Sequence, residues 1–226
     1  MNEFLNNFIP NIMDKLPDFY QAIIDTFIML GIVGVISLLF GVVFGVILVV
    51  TRKGDILENQ VVYFILGKIV DLFRAIPFII LVGFISPITR MIMGTGIGVE
   101  GALVPLVVGT IPFFARQVES ALAQIDRGLI EASQAMGSSP IEIIFRVYLR
   151  ESIPGIIRAT TITLISLLGF ITMVGAIGGG GIGDFAIRYG FNSYQYDVTI
   201  VCVIVLLLIT SLIQFIGNIF VRKATH

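Results

Sequence analysis

The sequence predicts an all-α integral membrane protein with five transmembrane helices. Three observations carry that prediction. The chain of 226 residues is 57% hydrophobic and 13% charged, with a mean hydropathy of +1.02. Soluble domains carry about 25% charged residues, so the apolar surplus has to face lipid. Apolar stretches close to membrane-crossing length recur along the chain, and the basic residues gather on alternate sides of them. Residues 1–226 therefore read as one transmembrane domain, multi-pass in a cell (inner) membrane, with membrane lipid as its solvent.

The apolar stretches cover about residues 27–50, 69–87, 101–115, 156–177 and 198–221. A helix needs ~20 residues to cross a bilayer, so five spans fit. In the first, Gly34, Ser37, Gly41 and Gly45 place small residues on one face. They predict close helix packing, within the chain in preference to across a dimer. The second opens with Lys68, Asp71 and Arg74 at three-residue spacing. Two readings stay open there. Asp71 sits in an interfacial cluster flanked by two cations, or the group belongs to an inner mouth where Pro77 weakens the helix, with Pro77 and Phe78 as gate candidates. The third is short and must borrow Ile97 to Glu100 or be shielded by its neighbours. The fourth carries Thr163, Ser166, Phe170 and Met173 as a mildly polar stripe. The stripe suits a pathway for a zwitterionic thioether solute, unless its hydroxyls merely satisfy carbonyls one turn back. In the fifth, Cys202 reads as a small buried hydrophobe.

Orientation follows from the Lys and Arg retained in short cytoplasmic loops. Arg52, Lys53, Arg116, Arg127, Arg146, Arg150, Arg158, Arg222 and Lys223 fall on one side, and Lys15, Arg90 and Arg188 on the other. The first group is assigned to the cytoplasm. The N-terminus is then outside, the C-terminus is inside, and residues 116–155 form a cytoplasmic loop.

Several function classes drop out. The formal net charge is −1 and no basic run offers a phosphate-binding stripe, so a nucleic-acid role is excluded. One cysteine builds neither a disulfide nor a cysteine zinc site, and one histidine, His226, removes histidine-based catalysis. No metal or cofactor is expected. The N-terminal Met1 to Asn7 has no basic region before an apolar core, so it is expected to stay on the mature chain. Gly178 to Gly183 lacks the Lys-Ser/Thr of a phosphate loop and falls on the outer side. It reads as an irregular re-entrant or surface turn where backbones pack closely.

The most distinctive polar segment is Glu131 to Glu142. Good helix formers run to Met136, Gly137 suits a left-handed helix end, and Ser139-Pro140-Ile141-Glu142 restarts a helix with a capping box. Two short helices meet at a fixed bend. That bend is a docking knuckle or an ordinary interhelical loop.

Glu131-Ala132, Gly137 six positions on, and Val147 and Leu149 beyond resemble the cytoplasmic EAA loop of ABC importer permeases. The departures are Ser133 where alanine is usual and Arg150 where proline is usual, although Pro154 stands close enough to start the next helix. Residues 73–80 (FRAIPFII), Val104-Pro105-Leu106, residues 128–133 (GLIEAS) and residues 178–183 (GGGGIG) together resemble the methionine-type branch from about Tyr20 onward. The resemblance implies a type I ABC importer permease fold and a homodimer. It also implies a cytoplasmic ATP-binding subunit dimer that holds the ATP, and an extracellular or periplasmic solute-binding protein meeting the Gly178 region, with Asp184, Arg188 and Asn192 to Tyr196 as contacts. Methionine or a close analogue is the implied substrate, moved by alternating access and without an ATPase site in the permease itself. Glu131, Ala132, Ala135, Met136 and Gly137 are the implied coupling residues: Glu131 anchors, Gly137 bends, and the alanines permit close approach.

Two rivals have less to stand on. An ion-coupled secondary transporter of a small amino acid wants intramembrane acids and internal repeats, and Asp71 is the only convincing acid. An intramembrane enzyme wants convergent nucleophile, base or metal ligands, and the sequence supplies none.

Overall fold

The computed structural model describes residues 9–225, and among them every regular element is helical. Four helices are long and apolar enough to span alone: Leu16–Thr51, Gly98–Leu122, Ile153–Gly175 and Tyr196–Ala224. The fifth expected span is broken. Gln60–Ala75 and Phe78–Met93 are separated by two residues and bent by 109°. Pro77 causes the break, because the residue before a proline is driven out of the helical region. Ile76 is accordingly extended at φ −76°, ψ 125°, and Phe78–Met93 begins directly after Pro77. A continuous second span over 69–87 is therefore replaced by two half-helices.

The third span starts at Gly98, close to the predicted borrowing, and runs on to Leu122. Arg116 lies inside this helix and not in a loop, so the connection before Ile153 is 123–152, shorter than 116–155. Pro154 is the second residue of the next helix, which restores the exit geometry that Arg150 leaves without a proline.

The described chain groups into two compact units. One combines the chain up to Val35 with Pro77–Val108 and Leu164–Ile213. Its core packs Phe19, Leu168, Ile182, Phe185, Val198 and Cys202, so the cysteine is the buried hydrophobe expected. Thr26 stitches this unit together: its Oγ1 donates to Ala22 O and accepts from Ile182 N, each at 2.9 Å.

The other unit combines Ile36–Ile76, Gly109–Thr163 and the chain from Gln214. Val49, Phe114, Val118, Leu122, Ile130, Ile143 and Tyr148 form its core. A Cβ on Gly41 would collide with Phe114, and one on Gly45 would lie 2.6 Å from Val118 Cβ. Those two glycines admit a neighbouring helix of the same chain, so this part of the small-residue face serves intramolecular packing.

The polar cluster at Asp71 also differs from expectation. Lys68 does not pair with it; its Nζ sits over the Phe64 ring at 5.7 Å. Arg116 grips Asp71 through Nη2 at 3.0 Å and Nε at 3.1 Å, and donates to Gly67 O as well. Arg74 stands 3.6 Å away. The cation that matters most comes from 45 positions along the chain, which helical spacing alone does not reveal.

Candidate functional site

The elbow at Gly137 is built from its caps. Asp126 opens the helix Arg127–Ala135 by accepting from Gly128 N. Gly137 closes it at φ +82°, donating to Gln134 O, while Ser138 N donates to Ser133 O. These paired bonds are a Schellman ending, which satisfies carbonyls the helix leaves open. Ser139 then starts Pro140–Ile143 with the predicted capping box, its amide donating to Glu142 Oε2 at 2.9 Å and its Oγ accepting from Glu142 N. Those bonds from Ser139 hold the Glu142 carboxyl below the ordinary carboxylate range.

After Ile143 the helix widens into a π-turn at Ile144–Tyr148, which the sequence does not advertise. Ile130 and Ile143 are buried and root the two arms in the core, and Val147 and Leu149 pack against it. Glu131, Ala132, Ala135, Met136 and Gly137 are all exposed. Ser133 is buried, which accounts for a small residue where the motif usually has alanine. Leu129, Met136, Ile141 and Phe145 are uncovered apolar residues, with Met136 79% and Phe145 66% exposed. Leu129, Ile141 and Phe145 are additions to the predicted site. Their exposure depends on the bend and the π-turn.

Beneath the elbow lies the connection after the first span. Arg127 donates to Gly54 O, and Tyr148 Oη donates to Asp55 Oδ1 at 2.6 Å. Asp55 also pairs with Arg52 at 3.0 Å, and its side chain is 2% exposed. Burial, reinforced by Asp55, pushes the Tyr148 phenol well above its usual range. A recess of about 100 Å³ is lined by Gly54, Asp55, Arg127, Glu131, Gln134 and Tyr148.

In the other unit, the glycine run forms the close-packed turn expected. Gly178, Gly180 and Gly181 have positive φ, and Gly98 N donates to Gly178 O at 2.9 Å. A Cβ on Gly181 would stand 2.8 Å from Thr26 Oγ1, and one on Gly183 would run into the Thr172 backbone. Beside the turn is a cleft of about 320 Å³ lined by Asp18, Gln21, Asp25, Asp184, Arg188 and Tyr189. Arg188 pairs with Asp184 at 2.7 Å, and Tyr189 Oη donates to Asp18. Tyr194 and Tyr196 are 80% and 75% exposed.

The pathway candidates separate. Phe78 and Phe170 come together in a ring stack with centroids 4.5 Å apart. Pro77 marks the helix break, Ser166 is half-buried and Met173 is exposed. Thr163 is 1% exposed, and its Oγ1 has no hydrogen-bond partner among the described residues. Carbonyl back-bonding belongs to its neighbours Thr161 and Thr172 instead.

Residues 41–226 match the family model described as the binding-protein-dependent transport system inner membrane component. The chain belongs to that family. The permease is 44% identical over 202 residues to the probable D-methionine transport system permease protein MetI of Vibrio cholerae, covering 89% of this chain and 90% of the relative. It is 41% identical over 172 residues to the methionine import system permease protein MetP of Bacillus subtilis, covering 76% and 78%. A chain of the MetNI methionine ABC transporter, solved in an inward-facing conformation, superposes with a TM-score of 0.92 at 43% identity, covering 94% of the permease and 99% of that chain. The permease therefore has the type I importer fold. An amino acid ABC transporter chain at 16% identity and a TM-score of 0.78 shares the fold alone.

Proposed function

We propose that the permease imports methionine or a close analogue as a homodimer, with a separate cytoplasmic ATP-binding subunit dimer docking on the elbow. In this reading the C-terminus and the elbow face the cytoplasm and the N-terminus faces outward. A solute-binding protein delivers substrate on the outer side, where Asp184, Arg188, Tyr194 and Tyr196 are contact candidates. The substrate assignment is supported by relatives whose names specify D-methionine or methionine transport and that align along most of this chain.

The observation that carries the docking assignment is the elbow surface. Its shape is fixed by a Schellman ending and a capping box, yet it leaves Leu129, Met136, Ile141 and Phe145 uncovered. Uncovered apolar side chains grouped on one polar loop support a reading of this surface as a site of protein association. Glu131 anchors the contact, Ala132 and Ala135 allow close approach, and Gly137 sets the bend. ATP closes the partner dimer, the elbows move with it, and the permease subunits exchange inward- and outward-open states. Closure drives transport only if the partner binds the two states with different affinity. Pro77, Phe78 and Phe170 are the gate candidates, because the helix break adjoins their aromatic stack.

An ion-coupled carrier loses its one acidic candidate, since Asp71 is engaged by Arg116 and Arg74. The permease supplies no ATP chemistry of its own in this proposal; hydrolysis belongs to the partner.

Reconstitution with the ATP-binding subunit and binding protein tests the proposal. ATP-dependent uptake of labelled methionine is expected, and Glu131→Ala should weaken partner affinity roughly ten- to hundredfold while the permease stays folded. Full partner affinity and full uptake in Glu131 and Gly137 variants would reject the docking assignment. Uptake driven by an ion gradient without the partner would reject the ATP-driven mechanism.

A further inference from the structure

The elbow is held from below by two side chains that no part of its surface requires. Arg127, on the first arm, donates to Gly54 O. Tyr148, at the end of the π-turn after the second arm, donates to Asp55. Both acceptors lie in the short connection between the first span and Gln60–Ala75. That connection is itself stiff. Leu57 N and Asn59 N donate back to Val50 O and Thr51 O, Gly54 N donates to Glu58, and Asn59 caps the next helix by accepting from Val61 N and Val62 N at 3.1 Å each.

Asp55 is the hub. Its carboxylate takes the Tyr148 phenol, the Arg52 guanidinium and the Ile56 amide while buried. A buried carboxylate held by several donors has one low-energy arrangement, so displacing Tyr148 displaces the connection. Glu131 lines the same recess as Asp55 and Tyr148, placing the proposed docking anchor beside this hub. Beyond the connection, Gln60–Ala75 runs without interruption to the Ile76–Pro77 break.

We infer that the Tyr148–Asp55 hydrogen bond is a positioning contact that transmits movement of the elbow into Gln60–Ala75 and so to the break at Pro77. The inference rests on the elbow being the ATPase contact. It assigns neither residue to the docking surface itself. Tyr148 is fully buried, and its ring belongs to the core around Ile143 and Leu122. The ring serves stability, and the hydroxyl serves transmission.

The test uses the complete complex in vesicles, with methionine taken up per ATP hydrolysed as the readout. Tyr148→Phe keeps the ring and deletes the donor; Asp55→Ala deletes the acceptor. Each is expected to lower uptake per ATP by about fivefold or more, the lower end of ordinary coupling strengths. Hydrolysis continues, and affinity for the ATP-binding subunit stays within about twofold. Asp55→Ala also removes the Arg52 and Ile56 contacts, so it is the poorer single variant, and adding Tyr148→Phe to it should lower the ratio no further because their shared bond is already gone. Asp55→Asn retains an acceptor for the phenol and should recover most of the ratio. Leu122→Val thins the same core from outside the elbow and without touching the bond; it should lower thermal stability and leave the ratio alone. An unchanged ratio in Tyr148→Phe, an additive double variant, or a loss that merely tracks partner affinity would overturn the inference. If Glu131 and Gly137 variants retain affinity and uptake, the docking assignment fails instead, whatever Tyr148→Phe does.

Discussion

The elbow at Gly137 and the glycine turn at 178–183 both bend the chain through left-handed glycines, but the turn needs glycine for a second reason as well. At Gly137 nothing lies within 4 Å of the position a Cβ would take, so the requirement is the +82° φ alone. At Gly183 φ is ordinary, and the obstacle is the Thr172 backbone. One bend is made by polar caps around an open residue. The other combines positive φ at Gly178, Gly180 and Gly181 with the absence of side chains where backbones meet. A capped bend can display a surface, while a packed turn fixes the helices around it.

Gly183→Ala should produce the largest effect on stability. Its Cβ would also lie 2.7 Å from Thr172 Cα, and neither obstacle is a flexible side-chain end. Overpacking of this kind costs about 3 kcal/mol, so thermal unfolding in detergent should show a large loss. A variant as stable as the parent would mean that the helix and turn separate readily.

Gly137→Ala comes next in stability, at roughly 1–2 kcal/mol for a non-glycine in the left-handed region. Gly137→Asn should lose less than alanine, because asparagine tolerates that region. Equal losses for alanine and asparagine would indicate a steric demand that the open surroundings do not suggest.

The smallest effects belong to the cap at Ser139. Ser139→Ala should weaken the second arm by about 1 kcal/mol, visible as faster amide exchange at Glu142 and Ile143. Acid should erode the same cap. Glu142 titrates below its usual 4.5 in the folded elbow, so its contribution is complete above that value and disappears as pH falls through the lower folded one. The Ser139 amide resonance should therefore follow a single titration with its midpoint below 4.5. A shift near neutrality would sink the capping account of this carboxylate.

The sequence disclosed what depends on neighbours a few residues apart. Gly137, Ser139 and Glu142 announce their bend through residue types whose preferences are local, and four spans announce themselves by length. The second span misleads because its apolar run continues past Pro77, and hydropathy does not register a missing amide. Asp126 is legible as a cap, standing two residues before the Gly128 amide from which it accepts, but it lies outside Glu131 to Glu142, where the residue types that mark the bend are concentrated. The Arg116–Asp71 and Tyr148–Asp55 contacts join residues 45 and 93 positions apart, beyond any periodicity. Leu129, Ile141 and Phe145 could be counted as apolar but not as uncovered, since exposure is settled by the fold.

The interruption at Ile76–Pro77 bears on how the protein is made. Each half of the pair has 16 residues, about 24 Å of helix, short of the ~30 Å hydrocarbon thickness. Neither half is a self-sufficient anchor for a nascent chain, and the carbonyls released at the kink need partners that lipid does not provide. Insertion of this segment therefore has to be completed by other helices of the chain, which ties its entry into the bilayer to tertiary packing.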